Sequence, residues 1–247
     1  MSAPATGRMA GRGTAATIVE FCGLPGAGKS YIAGRVLSTL SDRGVAARFG
    51  DGGVGPDVAG PRRMSRKLRW VWEQEVARPI ASVRVFACIG AGQRDWSSAV
   101  SRSVQWFVAQ GLLDAARRTA GVHLFQEGIL QALWSIGLRG DVGKLVGLLD
   151  DGAVPWARPD LVVVVHAPAE TIRNRLQARH SRHSRTQALH GTELDTELRR
   201  GADLLDQLLA WWERSGGRDR LLRVPNHSDE IPVVGEVVRS IEALRGA

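Results

Sequence analysis

Residues Thr17-Ile18-Val19-Glu20-Phe21-Cys22-Gly23-Leu24-Pro25-Gly26-Ala27-Gly28-Lys29-Ser30 decide the fold of this chain. The first six form a short, β-favouring apolar run. Beyond Ser30, Ile32, Val36 and Leu40 stand at i, i+4 and i+8, the spacing of one helix face. Between strand and helix, Gly23–Ser30 satisfies G-x-x-x-x-G-K-[ST] in full. Phosphate chemistry asks for these residue types. Glycines let successive backbone N–H groups curl round phosphate oxygens, and a helix start adds positive potential. Lys29 brings a point charge to the β- and γ-phosphates, and the Ser30 hydroxyl is a ligand for Mg²⁺. The chain's own Gly, Lys and Ser/Thr frequencies give roughly 0.004 chance matches, so the motif predicts a nucleoside triphosphate site. Its expected binding residues are Gly23, Leu24, Pro25, Gly26, Ala27, Gly28, Lys29, Ser30 and the adjoining Tyr31, with ATP and Mg²⁺ as cofactors.

Outward from the motif, strands and helices alternate. Val45–Phe49 reads as a second strand, ending at Asp51 in the Gly-rich tract Gly50–Gly60. Residues 62–120 read as a mostly helical, Trp-rich insert. Val122–Phe125 is a third strand with a helix over Ile129–Ile136 behind it. Leu161–Val165 is an unbroken apolar run, as a parallel strand buried on both faces requires. Pro168 and Glu170 open the next helix, and Leu194, Leu198, Leu205, Leu208 and Trp212 keep helical spacing. Leu221–Val224 and a closing helix through Ile231, Val234, Val238 and Ile241 complete the pattern. Five strands separated by helices predict a single α/β domain over residues 16–247 with a parallel sheet, after a disordered tail at 1–15.

Composition excludes other classes. The chain has 247 residues, 44% hydrophobic, enough for a sizeable core. No apolar run nears the ~18 residues of a membrane span, and the start lacks the apolar centre of a secretory signal. Cys22 and Cys88 form no disulfide framework and no metal pattern, which predicts a reduced, cytoplasmic protein. The net charge is +8, yet only three of the 33 basic residues are lysine, Lys29 among them. The basic run Arg62–Arg69 raises nucleic acid or an anionic membrane as a partner. No nucleic-acid module accompanies it, so it reads as a surface helix and the expected partners are ATP and a small-molecule acceptor.

Pro159–Val165 followed by Ala167–Leu176 resembles, with the phosphate loop, the P-loop kinases of the nucleotide and nucleoside kinase group, thymidylate kinases in particular. The resemblance covers about residues 16–245 in the order of elements. It implies a five-stranded sheet in the order 2-3-1-4-5, an acceptor-side insert at 62–120 and an arginine-rich lid at 175–192. Arg175, Arg179 and Arg182 fall at i, i+4 and i+7 with Arg185 beyond, a like-charged face that a polyphosphate would neutralise. The resemblance gives Arg179, Arg182 and Arg185 the task of closing over the transferring phosphoryl group. It makes Asp51 the acceptor base, although Asp before Gly-Gly is also ordinary turn chemistry. Glu127 is expected to assist the metal or the acceptor, and Asn226 lies in the loop expected to touch adenine. Dimers are common in the group, which allows a homodimer.

Two departures bear on the acceptor. Thymidylate kinases usually carry Asp-Arg after the third strand, the Arg gripping the acceptor's phosphate, and this chain has Gln126-Glu127. The acidic sequence usual after the second strand is replaced by Phe49-Gly50-Asp51-Gly52-Gly53. Both favour an acceptor that presents a hydroxyl, such as a nucleoside, sugar or secondary metabolite, or a cationic group, over a nucleoside monophosphate, for which Arg62, Arg63 and Arg66 of the insert are the remaining phosphate grip. A P-loop ATPase or nucleotide-binding regulatory protein is the rival from another class. No N-K-x-D motif supports a GTPase. Trp70, Trp72, Trp96 and Trp106 are expected to pack between helices, Trp211 and Trp212 to be structural, and Cys22 to be a small core residue.

Overall fold

The computed structural model describes residues 15–50, 79–178, 189, 191–226 and 230–246. Five strands carry the fold: β1 (Ala16–Cys22), β2 (Ala47–Phe49), β3 (Gly121–Phe125), β4 (Leu161–His166) and β5 (Leu221–Pro225). The helices are α1 (Lys29–Asp42), α2 (Pro79–Gly92), α3 (Trp96–Arg117), α4 (Ile129–Arg139), α5 (Gly143–Asp150), α6 (Ala169–Ala178), α7 (Gly191–Trp212) and α8 (Glu230–Gly246). All strand pairs are parallel, and the sheet order is β2-β3-β1-β4-β5, as expected. The described part of the segment 62–120 is largely helical, comprising α2 and α3.

Strand alternation splits the core into two layers. Ile18 and Cys22 of β1, Phe125 of β3 and Val162 and Val164 of β4 face α3, α4, α5 and α7. Val19, Phe21, Val122, Leu124, Val163 and Val165 face α1 and α8. β4 therefore needs apolar side chains at successive positions, and Val162–Val165 are all buried. Each such side chain contributes about 1.5–3 kcal/mol on burial.

The second strand is shorter than the sequence indicates. Val45 N–H donates to the Leu40 carbonyl at 2.9 Å and Gly44 N–H to Ser41 at 2.9 Å, so Val45 belongs to the C-terminal cap of α1. The ladder starts where Val122 N–H meets the Ala46 carbonyl at 2.8 Å. At the amino edge, the Asp160 carboxylate accepts from Ile18 N–H at 2.7 Å and from Arg117 at 2.6 Å, pinning β1 beside β4.

Tryptophan placement differs with position. Trp106, Trp211 and Trp212 are buried as expected, and Trp211 stacks on Trp156 with ring centroids 5.7 Å apart. Trp96 is 69% exposed, contrary to the packing role read for it. It stands at the first residue of α3, where its ring meets the edge of Phe86 at 5.4 Å and little else covers it. Trp70 and Trp72 lie outside the described residues.

Candidate phosphate-binding site

Open parallel sheets bind ligands beyond the carboxyl ends of their strands. Here that edge carries the Gly23–Gly28 loop after β1, Gln126–Gly128 after β3, Ala167–Pro168 after β4 and Asn226 after β5. β1 sits between β3 and β4, with Glu20 opposite Phe125 and Cys22 opposite Val164. The motif thus emerges at the centre of the sheet.

Its backbone is folded tightly. Ala27 N–H donates to the Leu24 carbonyl at 3.1 Å across the Pro25–Gly26 turn. Lys29 Nζ returns over the loop and donates to the carbonyls of Gly23 at 2.8 Å and Leu24 at 3.2 Å. Gly26 and Ala27 are buried, Lys29 is half-buried, and Ser30 and Tyr31 are exposed. Leu24 packs against both the main core and a smaller cluster of Ile172, Leu176, Leu194 and Leu198, tying the loop to α6 and α7.

Gly28 is the N-cap of α1, with φ +99°, no side-chain cap and no acidic residue in the first turn. A helix start normally has its orphan N–H groups satisfied by side chains or solvent. The starts of α3, α4 and α6 each have an acid. Asp95 accepts from Ser98 N–H at 2.8 Å, Glu170 lies in the first turn of α6, and α4 is served from another element. There Glu20 of β1, fully buried, accepts from Gln131 N–H at 2.9 Å, the third residue of α4. The start of α1 has neither a side-chain cap nor an acid in its first turn, which leaves its positive end suited to an external anion.

Glu20 is a residue the sequence reading missed. Burial pushes its carboxyl up to about 7, against the opposing pull of backbone N–H groups from Gln131, Leu130 and Ile129. Its other oxygen, Oε2, has no hydrogen-bond partner among the described residues. The available signal was an acid interrupting an apolar strand on the face of Ile18 and Cys22. Burial also pushes the Cys22 thiol up, with Glu20 adding to the effect. Cys22 is a buried, unreactive core residue of the kind expected.

Two residues grip the loop from behind. Asn226, 2% exposed, donates from Nδ2 to the Ala27 carbonyl at 2.6 Å. Arg175 on α6 donates from Nη1 to the same carbonyl at 3.2 Å. Arg175 belongs to the arginine series noted in the sequence, but its contact with the loop was not anticipated. A salt bridge of 2.8 Å between Arg173 and Asp195 joins α6 to α7, on either side of residues 179–190.

Glu127 is exposed in the turn between β3 and α4, on the same edge as the phosphate loop. Asp51, Arg179, Arg182 and Arg185 lie outside the described residues, as do Arg62, Arg63 and Arg66. Among the described residues no cluster of three or more His, Cys, Asp or Glu side chains could hold a metal ion. A Mg²⁺ bound through Ser30 and phosphate oxygens needs no such cage. Nor is any described helix long and apolar enough to cross a membrane.

No protein-family model matches the chain, and no curated protein matches it. Among solved structures it is similar to deoxyadenosine kinase from M. mycoides with dCMP and dCDP bound. The TM-score is 0.51 and the identity 12%, over 92% of this chain and 100% of that one. A shikimate kinase from Acinetobacter baumannii in complex with shikimate has a TM-score of 0.47 at 15% identity, over 94% of this chain and 95% of that one, too low to add to the comparison. The likeness at 12% identity is one of fold, and that fold is the P-loop kinase fold.

Proposed function

We propose that this chain is an ATP- and Mg²⁺-dependent phosphotransferase that moves the γ-phosphate to a hydroxyl of a small molecule. One observation carries the reading: the complete phosphate loop ends on a helix start with no side-chain cap and no acidic residue in its first turn. The donors there fit a polyphosphate. ATP supplies the transferable phosphoryl group, and Mg²⁺ neutralises charge as it moves. Backbone N–H groups from Gly26 to Ser30 bind the phosphates, Lys29 adds its charge, and Ser30 holds the metal with help from Glu127.

The acceptor side is read from three positions. Asp51, two residues after the end of β2, is proposed as the base that takes the hydroxyl proton. Glu127 stands where a phosphate-bearing acceptor would need a cation, which favours an acceptor presenting a hydroxyl or a cationic group. Arg179, Arg182 and Arg185 are proposed to close over the phosphoryl group. The similar solved protein is named a deoxyadenosine kinase, which supports a nucleoside among the candidate hydroxyl acceptors. The thymidylate kinase-like reading keeps a nucleoside monophosphate as the alternative acceptor, with arginines of the 62–120 segment supplying the grip. A cytoplasmic enzyme, free or as a homodimer, suits either.

A coupled ADP-release screen over nucleosides, nucleotides, sugars and hydroxylated antibiotics tests the proposal. An acceptor-dependent rate is expected for the wild type and a rate at least ~10²-fold lower for Lys29→Ala. Stoichiometric loss of ATP with no phosphorylated product, stimulated by a macromolecule, would instead establish the ATPase or regulatory reading.

A further inference from the structure

We propose that Asn226 is a positioning residue of the phosphate loop, holding the Ala27 carbonyl so that the Gly28 N–H is turned toward the bound phosphate. The proposal rests on the nucleotide-site reading above and assigns a role that the sequence alone placed at the adenine. A trans peptide is planar, with its C=O and N–H on opposite sides. Whatever fixes the Ala27 carbonyl therefore fixes the direction of the Gly28 N–H. The carbonyl is held on its far side by Asn226 Nδ2 at 2.6 Å and by Arg175 Nη1 at 3.2 Å. Arrangement in advance is what such a loop requires, since donors that must first rotate into place bind an anion less tightly.

Asn226 is well suited to this. Its own N–H donates to the His166 carbonyl at 2.7 Å, extending the β4–β5 ladder one residue past Pro225. The side chain thus starts from a rigid point. Ala27 offers only an acceptor, so the amide must present its nitrogen to it, and the orientation is fixed by chemistry. The amide also fills the space beside Gly28, where a Cβ would lie 1.9 Å from Nδ2. The last glycine of the motif and an asparagine 199 residues from Ala27 share one volume. An adenine-contacting role would leave the amide accessible, but it is buried and its nitrogen is committed to the loop.

The test uses the full chain, with MgADP as the probe. Asn226→Ala removes the donor. Asn226→Asp keeps the shape but sets a carboxylate oxygen against the carbonyl. Both should weaken MgADP binding by calorimetry at least about tenfold, the equivalent of ~1.4 kcal/mol. In Asn226→Ala, amide exchange over residues 23–31 should speed by about tenfold while β1 and β4 keep their protection. If the wild type binds MgADP and both variants bind within about twofold of it, the role of Asn226 falls and the nucleotide reading stands. Exchange that rises equally through β4 and β5 would make Asn226 a general support of the fold and overturn the proposal as well. A wild type that binds no MgADP would overturn the nucleotide reading, and this proposal with it.

Discussion

The carboxyl of Glu20 lies so close to Gly128 that a Cβ on the glycine would fall 2.4 Å from Glu20 Cδ. A strand residue thereby occupies the start of α4 from beneath and supplies the acceptor that a capping side chain would provide. The same residue joins β1, which launches the phosphate loop, to the turn that carries Glu127. The start of α4 is capped from inside the protein, whereas that of α1 has no side-chain cap and no acid in its first turn.

The cost of burying this carboxyl gives a pH signature. Its value is about 7 in the fold against 4.5 for the free group. The native state therefore keeps the proton to higher pH than the unfolded chain. The stability Glu20 contributes is fully present below pH 4.5 and lost as pH rises through about 7. Glu20→Gln, which cannot ionise, should gain on the wild type by on the order of 3 kcal/mol between about pH 4.5 and pH 8. Urea denaturation at the two pH values measures this. A stability difference that stays constant would show that Glu20 does not titrate in that window.

Gly28 combines a left-handed φ of +99° with a neighbour that leaves no room for a Cβ. Gly28→Ala should weaken MgADP binding by about 10²-fold, since backbone strain and the clash with Asn226 both distort the loop. Adding Asn226→Ala relieves the clash but not the strain. The double variant should therefore bind more tightly than the two single losses multiplied together. Strict multiplicativity in calorimetry would show that the two residues do not share one space.

Glu127 tests the choice of acceptor. Glu127→Arg places a cation in the turn after β3 and should lower KM for a nucleoside monophosphate by about tenfold. The rate with the preferred hydroxyl acceptor should fall in parallel. Steady-state kinetics with both acceptor classes decide the matter, and an unchanged ratio of kcat/KM values would remove Glu127 from acceptor selection.

Local patterns carried much of the structure. The apolar run before Gly23, the Ile32-Val36-Leu40 spacing and the unbroken Leu161–Val165 run each arise from contacts a strand or helix makes on its own face. They are therefore visible in a short window of residues. The phosphate loop is legible for the same reason: its glycines, Lys29 and Ser30 answer to one another over eight positions. The C-terminal cap of α1 claimed Val45 through hydrogen bonds that a periodicity reading does not see. Trp96 shows that an aromatic on a helix need not face the core when it stands at the first turn.

What supports the site from behind became visible only in three dimensions. Glu20 meets Gln131 across 111 residues, Arg175 meets Ala27 across 148, and Asn226 meets Ala27 across 199. None of these pairs has a spacing that a helix or strand would impose. They exist because a parallel sheet gathers the carboxyl ends of strands remote in sequence along one edge. The sequence by itself determined that a phosphate loop stands between a strand and a helix. The tertiary structure decided that Glu20 caps the start of α4, that Arg175 and Asn226 hold the Ala27 carbonyl, and that the amide of Asn226 fills the space a side chain on Gly28 would take.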